Sequence, residues 1–305
     1  PLIPIGANWN TYPGDAESRR LTRWPEATLG FLRDVAARVP VFSCREHRVV
    51  EMLGRHGIHN TLMTGDPAWY DPAAFGRPLH RPREIRTVVF SPPLSAFFRD
   101  QGATVLRLLR DLFPDARRCC AMHLTDPQAS RFADRSATND ASMRTDVAEK
   151  NAFLREEASR LGFEVLELAG DLETLLRLYP QCDLHVGYEC HAHVSMFRER
   201  RPSVLIAEDA RGVGFNDTFG AGGITGFVRQ RAGLPAGAEL GGTSGYCVSA
   251  DQAALAPART DLRDELEAYL RAELATGFRR FLGVGPLIDE TYTQAMGPFL
   301  RALPG

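Results

Sequence analysis

From Thr87 to Ala207 the chain alternates short apolar runs with longer segments whose apolar residues recur at helical spacing. That alternation constrains the fold more than any other feature. The runs are Thr87–Phe90, Arg117–Met122, Phe163–Leu168, Leu184–Gly187 and Ser203–Ala207. Between them the spacing predicts helices over Ala103–Phe113, Met143–Leu161, Asp171–Tyr179 and His191–Arg200. Short apolar runs without polar alternation suit strands buried on both faces. Repeated strand–helix–strand units then close into parallel sheets through right-handed crossovers. The fold class read from the chain is therefore α/β.

A shorter alternation precedes this one. Leu2–Gly6 reads as an apolar strand, followed by a polar loop to Arg23. Leu29, Leu32, Val35, Ala36 and Val39 predict a helix over Pro25–Val39, stopped by Pro40. A strand is expected over Val41–Ser43, a helix over Arg45–His56 and a strand over Thr61–Met63, closed by the turn Thr64-Gly65-Asp66-Pro67. The Pro-, Gly- and Arg-rich stretch Asp71–Glu84 reads as a linker. The expected organisation is a first unit over 1–70, a linker over 71–84, a second unit over 85–260 and C-terminal helices over 261–305. Helices are expected at Asp261–Leu282 and Asp289–Leu303. The polar loop Thr125–Ser142 and the Gly-rich stretch Gly220–Gly245 are candidate closure or acceptor-contact segments.

Composition narrows the function classes. With 305 residues, 44% apolar and 24% charged, the chain is neither disordered nor a disulfide-stapled mini-protein. Its 36 basic and 38 acidic residues leave a formal charge of −2, which argues against a nucleic-acid partner. No run approaches the ~20 apolar residues that a membrane-spanning helix needs. The six cysteines form no C-x-x-C pair, so buried thiols in a reducing, cytoplasmic setting are expected. Lys150 is the single lysine, which disfavours Schiff-base chemistry.

Ligands of parallel sheets bind beyond the carboxyl ends of the strands. Three strand ends carry candidates. In Ser43-Cys44-Arg45-Glu46-His47, Arg45 stands where a strand gives way to a helix N-terminus, a place suited to an anion or to an Arg–carboxylate pair. After Gly187 come Glu189, His191 and His193. At the head of a helix two residues i and i+2 point about 200° apart, so His191 and His193 make a poor metal pair. Either a general acid or a buried or capping histidine fits, and a helix N-terminus by itself lowers an imidazole pKa. Glu208, Asp209 and Arg211 form either a base with an anion clamp or an Arg-braced turn. The pieces AGGITG and LGGTSG match neither the dinucleotide fingerprint nor the P-loop.

Two blocks together resemble the polysaccharide pyruvyl transferase family. They are VPVFSCREHRVVEMLGRHGIHNTLMTGDPAWYD, with its S-x-R-[DE] strand end and T-G-D-P-A turn, and DLHVGYECHAHVSMFRERRPSVLIAEDARGVG, with its His-Ala core and Pro-led strand. The resemblance implies a GT-B-like architecture, two Rossmann-like parallel-sheet domains around a cleft with a C-terminal helix crossing back. It implies transfer of a pyruvyl group from phosphoenolpyruvate onto two hydroxyls of a glycan or lipid-linked sugar as a ketal, with no cofactor and no metal. Arg45 matches the family's donor-holding Arg and His191 its catalytic acid. Ser43, Arg211, Glu189 and His193 are further candidate substrate contacts. Glu208 and Asp209 are our own candidates for accepting a hydroxyl proton. Glu189 stands where the family commonly has Arg, and beside an anionic donor it needs a cation such as Arg211. Cys190 stands where Leu or Val is usual. The alternatives are a nucleotide-sugar-dependent GT-B glycosyltransferase and a non-catalytic binding subunit. An early Gly-Asp loop of the family is not found, and the chain opens at Pro1 within an apolar run, so a first domain lacking upstream residues is expected.

Overall fold

The structure, a computed structural model, describes residues 2–124, 141–221, 223–229 and 248–303. It is an α/β fold with two parallel sheets. The larger has six strands: β3 (Thr87–Ser91), β4 (Arg117–Met122), β5 (Glu164–Glu167), β6 (Leu184–Gly187), β7 (Ser203–Ala207) and β8 (Ile224–Thr225). Their spatial order is β5-β4-β3-β6-β7-β8, with every neighbouring pair parallel. The chain thus winds outward from β3 in one direction and then returns to start again beside it at β6. This is the Rossmann order, and its switch point lies between β3 and β6. The central strands β6 and β7 are buried along their whole length, β7 as an apolar run and β6 with His185 enclosed between Ser91 and Ser203.

The smaller sheet pairs β1 (Phe42–Cys44) with β2 (Thr61–Met63) through the helix His47–Arg55. A separate core of Trp9, Val35, Phe42, Val49, Met52 and Leu53 lies under it, and Ala210 of the larger unit enters this core. Gly65, in the turn after β2, has φ +81°, and an added Cβ would lie 2.6 Å from the Trp69 ring. Only glycine serves there.

Several expectations change. Leu2–Gly6 is not a strand: Pro4 has no N–H to pair, Gly6 turns away at φ +63°, and only Ala7 bridges to Cys44. The polar stretch before Arg23 contains the helix Ala16–Leu21, capped by the Asp15 side chain. The Gly-containing stretch after Glu208, read either as a base with an anion clamp or as an Arg-braced turn, is the helix Ala210–Phe219, capped by Asp209. Ser249 and Gln252 form a capping box on a further helix, Ala250–Leu255. The helix expected over Asp261–Leu282 ends at Thr276, where Gly277 and Phe278 adopt positive φ. Helical structure resumes from Val284 through Arg301 with one π-turn at Tyr292–Met296. Tyr292 packs on Tyr70 and Phe75, so this C-terminal element touches the chain that follows β2. Of the expected loop Thr125–Ser142, residues 125–140 lie outside the described residues, and 141–142 open the helix Ala141–Arg160. Most of Gly220–Gly245, including AGGITG in part and LGGTSG in full, also lies outside them.

Cys44, Cys119, Cys120, Cys182 and Cys190 are buried free thiols. Among the described residues no helix is long and apolar enough to cross a membrane.

Candidate functional site

The two sequence blocks meet. The helix Cys190–Arg198 that begins beyond β6 packs against the turn Pro67–Trp69 that follows β2. Around this junction stand the carboxyl ends of β1, β3, β4, β6 and β7.

At the β6 end, Glu189 is the N-cap of the helix Cys190–Arg198. Its Oε1 accepts the backbone N–H of His191 at 3.1 Å and lies 2.6 Å from His191 Nδ1. Glu189 is 3% exposed, whereas the His191 side chain is 67% exposed. Burial alone would raise the Glu189 carboxyl, but the His191 charge and hydrogen bond hold it well below the usual carboxylate range. In return the Glu189 carboxylate, foremost by its charge, raises the His191 pKa. The cation that Glu189 requires is therefore His191 first, with Arg211 contributing at longer range. The helix-terminus effect that would lower the imidazole pKa is outweighed by this contact.

At the β1 end, Arg45 is 5% exposed. Its backbone N–H bonds to Ala7 O at 2.9 Å, its Nη1 lies 3.5 Å from Asp66, and its guanidinium carbon lies 4.4 Å from the Phe215 ring centre. Arg45 Nε and Nη2 have no hydrogen-bond partner among the described residues. The charges of Arg45 and Asp66 both act on His191. A buried guanidinium with two unsatisfied donors, within charge range of His191, suits a bound anion.

The other expected contacts fall into braces. Ser43 is fully buried; its Oγ accepts Gly6 N–H at 2.8 Å and bonds Thr64 Oγ1 at 2.5 Å, joining the strand to its neighbours. His193 is 2% exposed, packs against Phe197, Phe215 and Phe219, and bonds Ser203 Oγ at 2.7 Å. Burial pulls its pKa down to about 3, so it is a neutral core residue rather than a substrate contact. Glu208 is not disposed to take a hydroxyl proton, because its oxygens accept the backbone N–H groups of Leu94 and Ser95 at 2.9–3.1 Å. Burial raises its pKa. Lys150 Nζ donates to Pro93 O and Leu94 O at 2.7 and 3.1 Å, so the loop beyond β3 is held from both sides. Asp209 caps its helix and binds the Arg211 guanidinium through both oxygens. Its lone pairs are spent on that turn, and it is 1% exposed.

Sequence reasoning missed His123 and Tyr179. His123 directly follows β4, and its Nε2 lies 2.5 Å from Tyr179 Oη. Its charge neighbours are Glu189 and His191. Nothing in its own stretch, Met122-His123-Leu124, signals a site; the signal is its position at a strand's carboxyl end. Among the described residues no group of His, Cys, Asp and Glu could hold a metal ion. An apolar cavity of about 370 Å³ lies apart from the charged cluster, between Val39, Leu62 and Phe299.

No family model matches the chain, and no curated protein does. Among solved structures, the chain is similar to the wall teichoic acid polymerase TagF, with 13% identity and a TM-score of 0.39. The match covers 99% of this chain and 64% of that one, so the chain spans under two thirds of that protein's length.

Proposed function

We propose that the chain is a cytoplasmic, GT-B-like transferase that moves the pyruvyl group of phosphoenolpyruvate onto two hydroxyls of a glycan or lipid-linked glycan precursor. The observation that carries the reading is the Glu189–His191 pair, an imidazole whose charged form a carboxylate favours, at the switch-point edge within charge range of Arg45. His191 donates its proton to the methylene carbon of the donor, leaving an oxocarbenium-like centre at C2. One acceptor hydroxyl adds to C2, the C2–O bond to phosphate breaks, and the second hydroxyl closes the ketal. Of the two hydroxyl protons released, one restores His191 and the other leaves with phosphate. Arg45 directs Nε and Nη2 to the donor's phosphate or carboxylate. Glu189 acts on His191 rather than on the donor, which removes the conflict of placing a carboxylate beside an anionic substrate.

The test is inorganic phosphate release from phosphoenolpyruvate across a panel of glycan acceptors, comparing the parent with Arg45→Ala and His191→Ala. Acceptor-dependent release that both substitutions abolish is expected. Release that survives both would overturn the site. No release by the parent, with stabilisation by a nucleoside diphosphate instead, would replace the reading with nucleotide-sugar chemistry.

A further inference from the structure

We propose that His123 is a fixed, neutral hydrogen-bond donor of this site, held by Tyr179 so that it presents Nδ1–H to an oxygen of the bound anion. The inference rests on the reading of these strand ends as an anion site, and it concerns a residue that neither sequence block contains.

The argument is one of proton placement. Tyr179 is fully enclosed, and burial drives its phenol far above the ordinary range, so it keeps its proton throughout the physiological range. Its Oη has no partner among the described residues besides His123 Nε2, at 2.5 Å. A buried O–H left undonated is costly, so the phenol proton goes to Nε2. An imidazole that accepts at Nε2 and is neutral must carry its own proton on Nδ1. Neutrality follows from burial, which pulls His123 down to about 4 against the opposing charge of Glu189. The rings lie 5.9 Å apart at 26°, so Tyr179 also limits rotation of the imidazole.

His123 Nδ1 has no partner among the described residues, and the side chain is half-buried at the carboxyl end of β4, next to the switch-point strand β3. The same strand ends thus hold two imidazoles pushed in opposite directions: His191 backed by a carboxylate that favours its charged form, His123 backed by a phenol and neutral. Opposed environments of this kind separate an acid from a donor. A neutral donor adds a hydrogen bond to the anion without adding a second cation beside His191.

The experiment reads the tautomer and the affinity separately. ¹⁵N-histidine NMR of the parent without ligand should show His123 as the Nδ1–H form between pH 6 and 8. With inorganic phosphate as the probe, His123→Ala should weaken binding about tenfold, as expected for one hydrogen bond to a charged oxygen. His123→Asn, whose amide nitrogen sits where Nδ1 does, should stay within about threefold of the parent. Tyr179→Phe should release the tautomer and give mixed Nδ1–H and Nε2–H signals. An Nε2–H form in the parent overturns the proposal, whether or not any variant folds. So does phosphate affinity unchanged in a folded His123→Ala. Failure of phosphoenolpyruvate turnover with the phosphate response at His123 intact would overturn the pyruvyl reading and leave this one standing.

Discussion

Glu189 Oε1 lies 2.6 Å from His191 Nδ1, and the same oxygen accepts the His191 backbone N–H. One carboxylate therefore caps the helix, selects the imidazole's orientation and raises its pKa. Glu189→Gln keeps the cap but removes the charge. The His191 pKa should fall back toward the ordinary imidazole range, and turnover near pH 8 should drop because less of His191 then carries the proton it donates. At pH 5.5, where an ordinary imidazole is itself protonated, the loss should largely disappear. Turnover profiles from pH 5 to 9 with His191 NMR titration check both. An equal loss at every pH would reduce Glu189 to a structural cap.

Arg45 tests the anion site independently. Arg45→Ala should lower kcat/KM for the donor by about a hundredfold, equivalent to about 2.7 kcal/mol, in line with loss of an electrostatic clamp. Arg45→Lys should recover little of it, since an ammonium cannot reproduce two parallel N–H donors or stack on Phe215. Steady-state kinetics and phosphate titration measure this. Full rescue by Lys would show that only the charge matters.

How legible these features were depended on where their reasons lay. Strands β3 and β7 were readable because burial on both faces writes a nearly uninterrupted apolar run into the chain itself. Arg45 and His191 were readable because a strand end followed by a helix is a local pattern. The helix Ala210–Phe219 was not, since Gly212 and Gly214 look like breakers until their partners are known. A Cβ on Gly212 would lie 2.8 Å from Ala207 Cα, and one on Gly214 would run into Glu46. Glu189 looked hostile to an anion because its partner two residues on becomes visible only once the helix is capped. Glu208 and Asp209 looked like bases because the backbone N–H groups of Leu94 and Ser95, and the Arg211 fork, are invisible in the order of residues. His123 depends on Tyr179, a contact that only the sheet order creates.

Glu46 is fully buried with both carboxylate oxygens unpartnered among the described residues, and burial pushes its pKa up to about 7 against the opposing charges of Arg45 and Arg48. At pH 4 folded and unfolded chains both carry the proton, so the group has no effect. As pH rises toward 7 the unfolded chain releases its proton first, and stability falls; above 7 the penalty is complete. A change of that size corresponds to about 3 kcal/mol. Glu46→Gln should therefore match the parent at pH 4 and exceed its unfolding free energy by about 3 kcal/mol at pH 8. Urea denaturation at pH 4, 6 and 8 decides it, and a difference that does not grow with pH would refute the account.

Glu46 also explains Gly214. A Cβ there would sit 1.7 Å from Glu46 Oε2 and 2.3 Å from its carboxyl carbon, so the buried Glu46 side chain would have to shift to admit it. Helix propensity alone would make Gly214→Ala stabilising by about 1 kcal/mol. Overpacking should win, leaving the variant less stable by about 1–3 kcal/mol. If the clash is with Glu46, shortening Glu46 should reverse the sign: Gly214→Ala introduced into Glu46→Ala should be neutral or stabilising. Thermal and urea unfolding of the four proteins in this cycle give the coupling directly. Additive effects would mean that the helix Ala210–Phe219 needs its glycine for some other neighbour. A reversed sign would establish that Glu46, one residue from Arg45, sets how closely the smaller unit approaches that helix.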